Sequence, residues 1–123
     1  MKKIFLLASI VVAMSLNLFA QNDTVYYISF KESMGSWSID DKVKPEAVST
    51  IWQQTAQYGM KASAFVGGVK HVTESWFISA PLNLTSCTTL KMEFNQALNY
   101  ATPDYVSVKI TKDGTNWETL TVP

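Results

Sequence analysis

Trp76-Phe77-Ile78-Ser79-Ala80-Pro81-Leu82-Asn83-Leu84-Thr85 reads as an aromatic strand, a proline stop and a short apolar staircase into a turn. Trp76, Ile78 and Ala80 alternate with Phe77 and Ser79. Each face therefore carries a large apolar group, as in a strand with little water on either side. Pro81 has no amide hydrogen and cannot continue a central ladder, so the strand ends there.

The same period of two runs outward in both directions. Downstream, past a turn at Thr85-Ser86-Cys87-Thr88, Leu90, Met92 and Phe94 alternate with Lys91, Glu93 and Asn95, the pattern of a half-buried strand. Gln96-Ala97-Leu98 breaks that alternation, as a bulge does. Tyr100 to Asp104, with Pro103, reads as a loop. Val106, Val108 and Ile110 then alternate with polar residues, and Asp113-Gly114-Thr115-Asn116 turns the chain back into Trp117 to Val122, so this pair is expected to form a hairpin.

Upstream, Val25 to Phe30 predicts a first strand with aromatic groups on both sides, ending at Glu32. Ser33-Met34-Gly35-Ser36 is a turn, and Trp37-Ser38-Ile39 is a short strand or an ordered loop. Asp40 to Thr50 is polar around Pro45 and predicts a surface loop, with one helical turn at Pro45-Glu46-Ala47. Ile51 to Thr55 and Tyr58 to Phe65 predict two more strands, broken off by Gly67-Gly68. Seven or eight short strands separated by turn chemistry, with no helical periodicity over three turns, predict an all-β fold. The expected form is an antiparallel two-sheet sandwich.

Lys2 and Lys3 precede an apolar run from Ile4 to Met14 and a boundary of small and polar residues at Leu16 to Gln21, which is the layout of a signal peptide. The run is too short to span a bilayer comfortably. Cleavage near Ala20 is expected, leaving residues 21–123 as one domain, secreted to the periplasm, the cell surface or the medium. No cysteine stands at the cleavage point for a lipid, since the single cysteine is Cys87. Residues 21–123 carry ten acids and eight lysines, a net charge of −2, and the chain has no arginine. A nucleic-acid partner needs clustered cations to replace the phosphate counterions, so that class is rejected. With one cysteine there is no internal disulfide, and the fold depends on its apolar core.

Phe30-Lys31-Glu32, Gly35-Ser36-Trp37, the isolated Trp52, Tyr58-Gly59-Met60-Lys61-Ala62-Ser63-Ala64, the Trp76 to Thr85 stretch and Asp113-Gly114-Thr115-Asn116-Trp117 together resemble the choice-of-anchor J and cleaved-adhesin domains. These are secreted domains of Bacteroidetes-type bacteria, and the resemblance covers nearly all of residues 21–123. It implies a jelly roll of the galactose-binding-like kind, similar in outline to MAM domains, in which a sheet face or the loops at one end engage a glycan or a surface protein. The family motif carries an aspartate where this chain has Asn83. It also continues to a last strand with a tryptophan and an Asp-Asn pair, whereas this chain stops at Pro123, directly after a strand. The expectation is a domain lacking its C-terminal strands, with Trp117 to Val122 as an open edge. Some relatives hold a structural calcium with acids near the first strand, and the resemblance would give Glu32 that part; the alternative for Glu32 is a solvated carboxylate at a strand end.

The residues that bear on chemistry point away from catalysis. His71 is the one histidine and has no second ligand at zinc spacing. Cys87, in Thr-Ser-Cys-Thr-Thr, has no base beside it in the sequence. Thr111 to Trp117 is similar to the Asp box of sialidase propellers, but it occurs once, is one residue short between Asp113 and Gly114, and lacks the arginines that clamp a sialic-acid carboxylate. A glycosidase needs two carboxyls at a fixed separation, and the acids are scattered. The expectation is therefore not an enzyme.

What remains is aromatic. The apolar face of a sugar ring packs on an aromatic plane, so Trp37, Tyr58, Tyr100 and Tyr105, all near turns, are the candidate ligand-binding residues, while Trp76 and Trp117 are assigned to packing. The expected function is a non-catalytic secreted or surface module for binding and adhesion, with a glycan or surface protein as partner. The alternative is a structural spacer of a larger secreted protein with no ligand of its own.

Overall fold

The computed structural model describes residues 23–100 and 103–122. The expected signal peptide at 1–20 and the middle of the Tyr100 to Asp104 loop lie outside the described residues. The chain divides into two compact units, Met1–Ser86 and Cys87–Pro123.

In the first unit, β1 (Ser38–Val43) pairs antiparallel with β6 (Glu74–Ile78), placing Ile39 opposite Phe77, Asp40 opposite Trp76 and Asp41 opposite Ser75. The register shifts between Asp41 and Val43, a bulge that ends the ladder at Val43 opposite Glu74. β2 (Trp52–Thr55) and β3 (Gly59–Ala62) form a hairpin through the three-residue loop Ala56-Gln57-Tyr58. Gly59 closes that loop at φ +80°, the left-handed residue that such a loop requires. β4 (Phe65–Val66) and β5 (Val69–Lys70) form a smaller hairpin whose two turn residues, Gly67 and Gly68, both have positive φ. The mirror-image turn that joins two right-twisted strands needs that pair of dihedrals.

In the second unit, a 3₁₀ turn (Pro103–Tyr105) leads into β7 (Val108–Ile110), which pairs antiparallel with β8 (Glu118–Leu120). The expected hairpin around Asp113 is thus present. Among the described residues the regular structure is antiparallel strand with no α-helix, so the all-β class holds, and the strands pair as four two-stranded ladders. No helix of the described residues is long and apolar enough to cross a membrane.

Three expectations are corrected. Asp40 to Val43 is strand and not loop: a run of charged residues hides a strand that pairs with β6. Beyond it, Pro45 to Val48 makes a hydrogen-bonded turn. Val25 to Phe30 and Leu90 to Asn95 belong to no strand. Alternation supplies a strand's faces, but a strand also needs a neighbour for its backbone groups, and neither segment has one among the described residues. The central strand is also displaced: it begins at Glu74 and stops at Ile78, before Ser79 and Ala80.

The apolar centre of the first unit is aromatic. Phe77 projects from β6 against Trp37 at a centroid distance of 4.7 Å, Phe30 at 5.1 Å and Trp52 at 5.5 Å, the last nearly parallel at 29°. Phe30 meets Trp37 edge-on at 5.1 Å. Such offset and edge contacts follow the ring quadrupole and are worth about 0.5–1.5 kcal/mol each beyond area burial. Ile51, next to Trp52 in the chain and 6% exposed, is the one buried large apolar side chain among the described residues. Gln54 ties the Phe30 segment to β2 by donating its amide to Phe30 O at 3.2 Å and Lys31 O at 2.7 Å.

Candidate functional site

The two hairpins of the first unit frame an open cleft of about 350 Å³. Gln53 on β2 and Lys61 on β3 stand directly opposite each other, so their side chains share one face of the hairpin. Both line the cleft with Thr50, Ser63 and Phe65, while Ile51 and Val66 add apolar wall. The strand period is what brings the polar pair together: Gln53 and Lys61 face one way while Trp52 faces the aromatic cluster. Ser63 is held in place, its hydroxyl accepting Phe65 N–H at 3.2 Å. Thr50 donates to Trp52 O at 2.6 Å. Phe65 is 59% exposed, leaving a ring face at the edge of the cleft. An amide, an ammonium, two hydroxyls and an aromatic plane are the groups that grip a polyhydroxylated or mixed polar ligand.

The aromatic residues singled out from the sequence do not line this cleft. Trp37 is half-buried in the Phe30–Phe77 cluster, and its indole N–H donates to the Tyr26 hydroxyl at 2.9 Å. Tyr58 is exposed at the tip of the β2–β3 loop, with its backbone N–H bonded to Thr55 Oγ1 at 3.1 Å. Tyr100 and Tyr105 belong to the second unit and are both strongly exposed, Tyr100 at φ +63°. Trp37 and Tyr58 thus fall in one unit, and Tyr100 and Tyr105 in the other.

Glu32 is exposed on a turn in which its N–H reaches Ser29 O at 3.4 Å. Among the described residues no three His, Cys, Asp or Glu side chains converge to hold a metal. An exposed carboxylate outside any such group does not fit a calcium shell of six to eight oxygens. Cys87 is a half-buried free thiol. His71 anchors the β4–β5 hairpin through its backbone N–H to Ala64 O at 2.8 Å.

No protein-family model, curated protein or solved structure matches the chain.

Two acids carry more than the sequence signals. Asp113 organises the β7–β8 turn: its Oδ1 accepts the N–H groups of Thr115 and Asn116, each at 2.8 Å, and the Thr111 hydroxyl at 3.0 Å, and its Oδ2 accepts the Asn116 amide at 2.6 Å. The backbone and side chain of Asn116, then Thr115 and Thr111, hold its carboxyl far below the usual carboxylate range. The sequence marks this position as a turn. The number of donors converging on one carboxylate is visible only in three dimensions. Asp41 accepts the Ser75 hydroxyl and the Ile51 N–H, the latter at 3.2 Å, which joins the β1–β6 ladder to the start of β2. Its sequence signal is Asp40-Asp41 set against the Ser75 of the aromatic strand, too weak to find without the register.

Proposed function

We propose that this chain is a non-catalytic, secreted or surface-exposed binding module whose ligand is a glycan or a surface protein. The observation that carries the reading is the cleft between the β2–β3 and β4–β5 hairpins, where Lys61 and Gln53 present hydrogen-bond donors beside the exposed ring of Phe65. A sugar presents hydroxyls at its rim and C–H groups on its face, which match donors at the side and a ring at the edge. The exposed rings of Tyr58, Tyr100 and Tyr105 extend the same chemistry over each unit. The resemblance of the sequence to choice-of-anchor J and cleaved-adhesin domains supports the reading, as does the export layout of residues 1–20. On this proposal the ladders belong to a two-sheet jelly roll of the galactose-binding-like kind, and ligands are met at its loops.

Glycan and host-matrix arrays test it. Saturable binding is expected, weakened by about tenfold or more in Phe65→Ala and in Lys61→Ala, because each removes one face of the ligand contact. Binding untouched by both substitutions, or no binding on either array, overturns this assignment of the site.

A spacer or assembly domain is the second reading. It is favoured by the number of large apolar side chains left at the surface, Val72, Leu90 and Met92 among them. It predicts empty arrays together with a stable complex with a neighbouring module of the same secreted protein.

A further inference from the structure

Leu90-Lys91-Met92-Glu93-Phe94-Asn95 has the alternation of a strand and the geometry of one face, yet no ladder. Lys91 Nζ lies 2.6 Å from Glu93 Oε1, so residues two apart share a side, as in extended backbone. Leu90, Met92 and Phe94 are left 56%, 60% and 46% exposed. The segment belongs to no strand, and no backbone hydrogen bond ties it to another segment of the described residues. An apolar row with unpaired backbone edges is a template for another strand.

The charge pattern specifies which one. In an antiparallel pair centred on Met92, each Lys91 faces a Glu93 and each Glu93 a Lys91, while Met92 meets Met92 and Leu90 meets Phe94. Opposite charges and apolar groups each face their complements, which is the arrangement that stabilises cross-strand pairs. A two-fold interface requires this kind of self-complementarity, since every contact must occur twice. We propose that the segment Leu90–Asn95 is a homodimerisation strand that pairs antiparallel with the same segment of a second copy, in the register that sets Lys91 against Glu93. The occupant is a second copy because the segment is its own charge complement: a one-residue slip sets charged against apolar groups, and a two-residue slip sets like charge against like.

Charge reversal tests both the occupant and the register. Sedimentation of the purified chain should show a monomer–dimer equilibrium. Lys91→Glu and Glu93→Lys should each weaken dimerisation by about tenfold or more, because two attractive pairs become two repulsive ones. The double variant K91E/E93K should restore the dimer. Mixing the two single variants should give a heterodimer stronger than either homodimer. The substituted residues are exposed, so the far-ultraviolet circular dichroism of each monomer should be unchanged, which separates loss of pairing from loss of folding. A monomer at all concentrations, a higher oligomer, or a dimer indifferent to either single reversal would overturn the proposal.

Discussion

Asp41 on β1 sits directly opposite Ser75 on β6 and accepts its hydroxyl hydrogen bond, and the same carboxylate takes the N–H of Ile51. One side chain thereby fastens the β1–β6 ladder, which carries Phe77, to the start of β2, which carries Trp52. Hydrogen bonds to a charged acceptor are worth roughly 1.5–3 kcal/mol. Asp41→Ala is therefore expected to destabilise the first unit by about that amount. Asp41→Asn, which keeps one acceptor oxygen, should cost less. Urea unfolding read by tryptophan fluorescence checks both, and equal losses would show that a neutral acceptor oxygen cannot stand in for the carboxylate.

Phe77 touches three other rings, so its truncation removes three contacts at once. Because the ring is half-buried, Phe77→Ala is expected near the lower end of the usual range, about 3 kcal/mol. Trp52 behaves differently: its indole N–H is buried and meets no acceptor among the described residues. Trp52→Phe keeps a ring against Phe77 and removes an unpaired donor whose burial costs about 1–3 kcal/mol. Its stability should thus stay within about 1 kcal/mol of the parent. Equal destabilisation by the two substitutions, measured by the same urea titrations, would contradict this picture.

Gly59 combines φ +80° with a neighbour in the way: a Cβ there would stand 3.2 Å from the Phe30 Cβ. Gly59→Ala is expected to cost about 1–2 kcal/mol from the left-handed backbone alone. Gly67→Ala faces open space at φ +61° and meets the backbone cost without the collision. Thermal unfolding should rank Gly59→Ala below Gly67→Ala. The reverse order would place the Phe30 segment elsewhere.

Asp113 predicts a pH dependence with a definite sign. Its folded carboxyl is depressed, so the turn's stabilisation is fully present above the unfolded aspartate pKa of about 3.9. It is lost as pH falls through the folded value, well below that of ordinary carboxylates. Carboxyl carbon shifts in an NMR titration should show Asp113 titrating last among the acids, with the Thr115 and Asn116 amide shifts moving at the same midpoint. Asp113→Asn should abolish that amide transition. An ordinary midpoint for Asp113 would mean that its four donors do not converge in solution.

Several parts of the fold were legible along the chain, each for a local reason. Gly67-Gly68 and Asp113-Gly114 announce their turns because tight hairpins need residues of that conformational type, whatever surrounds them. The strand at Trp76 and the hairpin at Val108 follow from alternation that does find a partner. Leu90 to Asn95 shows where the same signal stops: its alternation is as clear as that of β7, but pairing is a property of two segments and cannot be read from one. Asp40 to Val43 fails in the opposite sense, since charged residues hid a strand that a distant partner stabilises.

The candidate site divides in the same way. The chain alone determined which aromatic and polar side chains are available, since residue type sets the available chemistry. Tertiary structure decided which of them meet. Trp37, a candidate ligand-facing ring by sequence, packs on Phe77, while Phe65, Lys61 and Gln53, which carry no ligand signal in the sequence, come together at a cleft. Backbone conformation is largely a matter of near neighbours, whereas burial, register and the facing of side chains depend on residues tens of positions away.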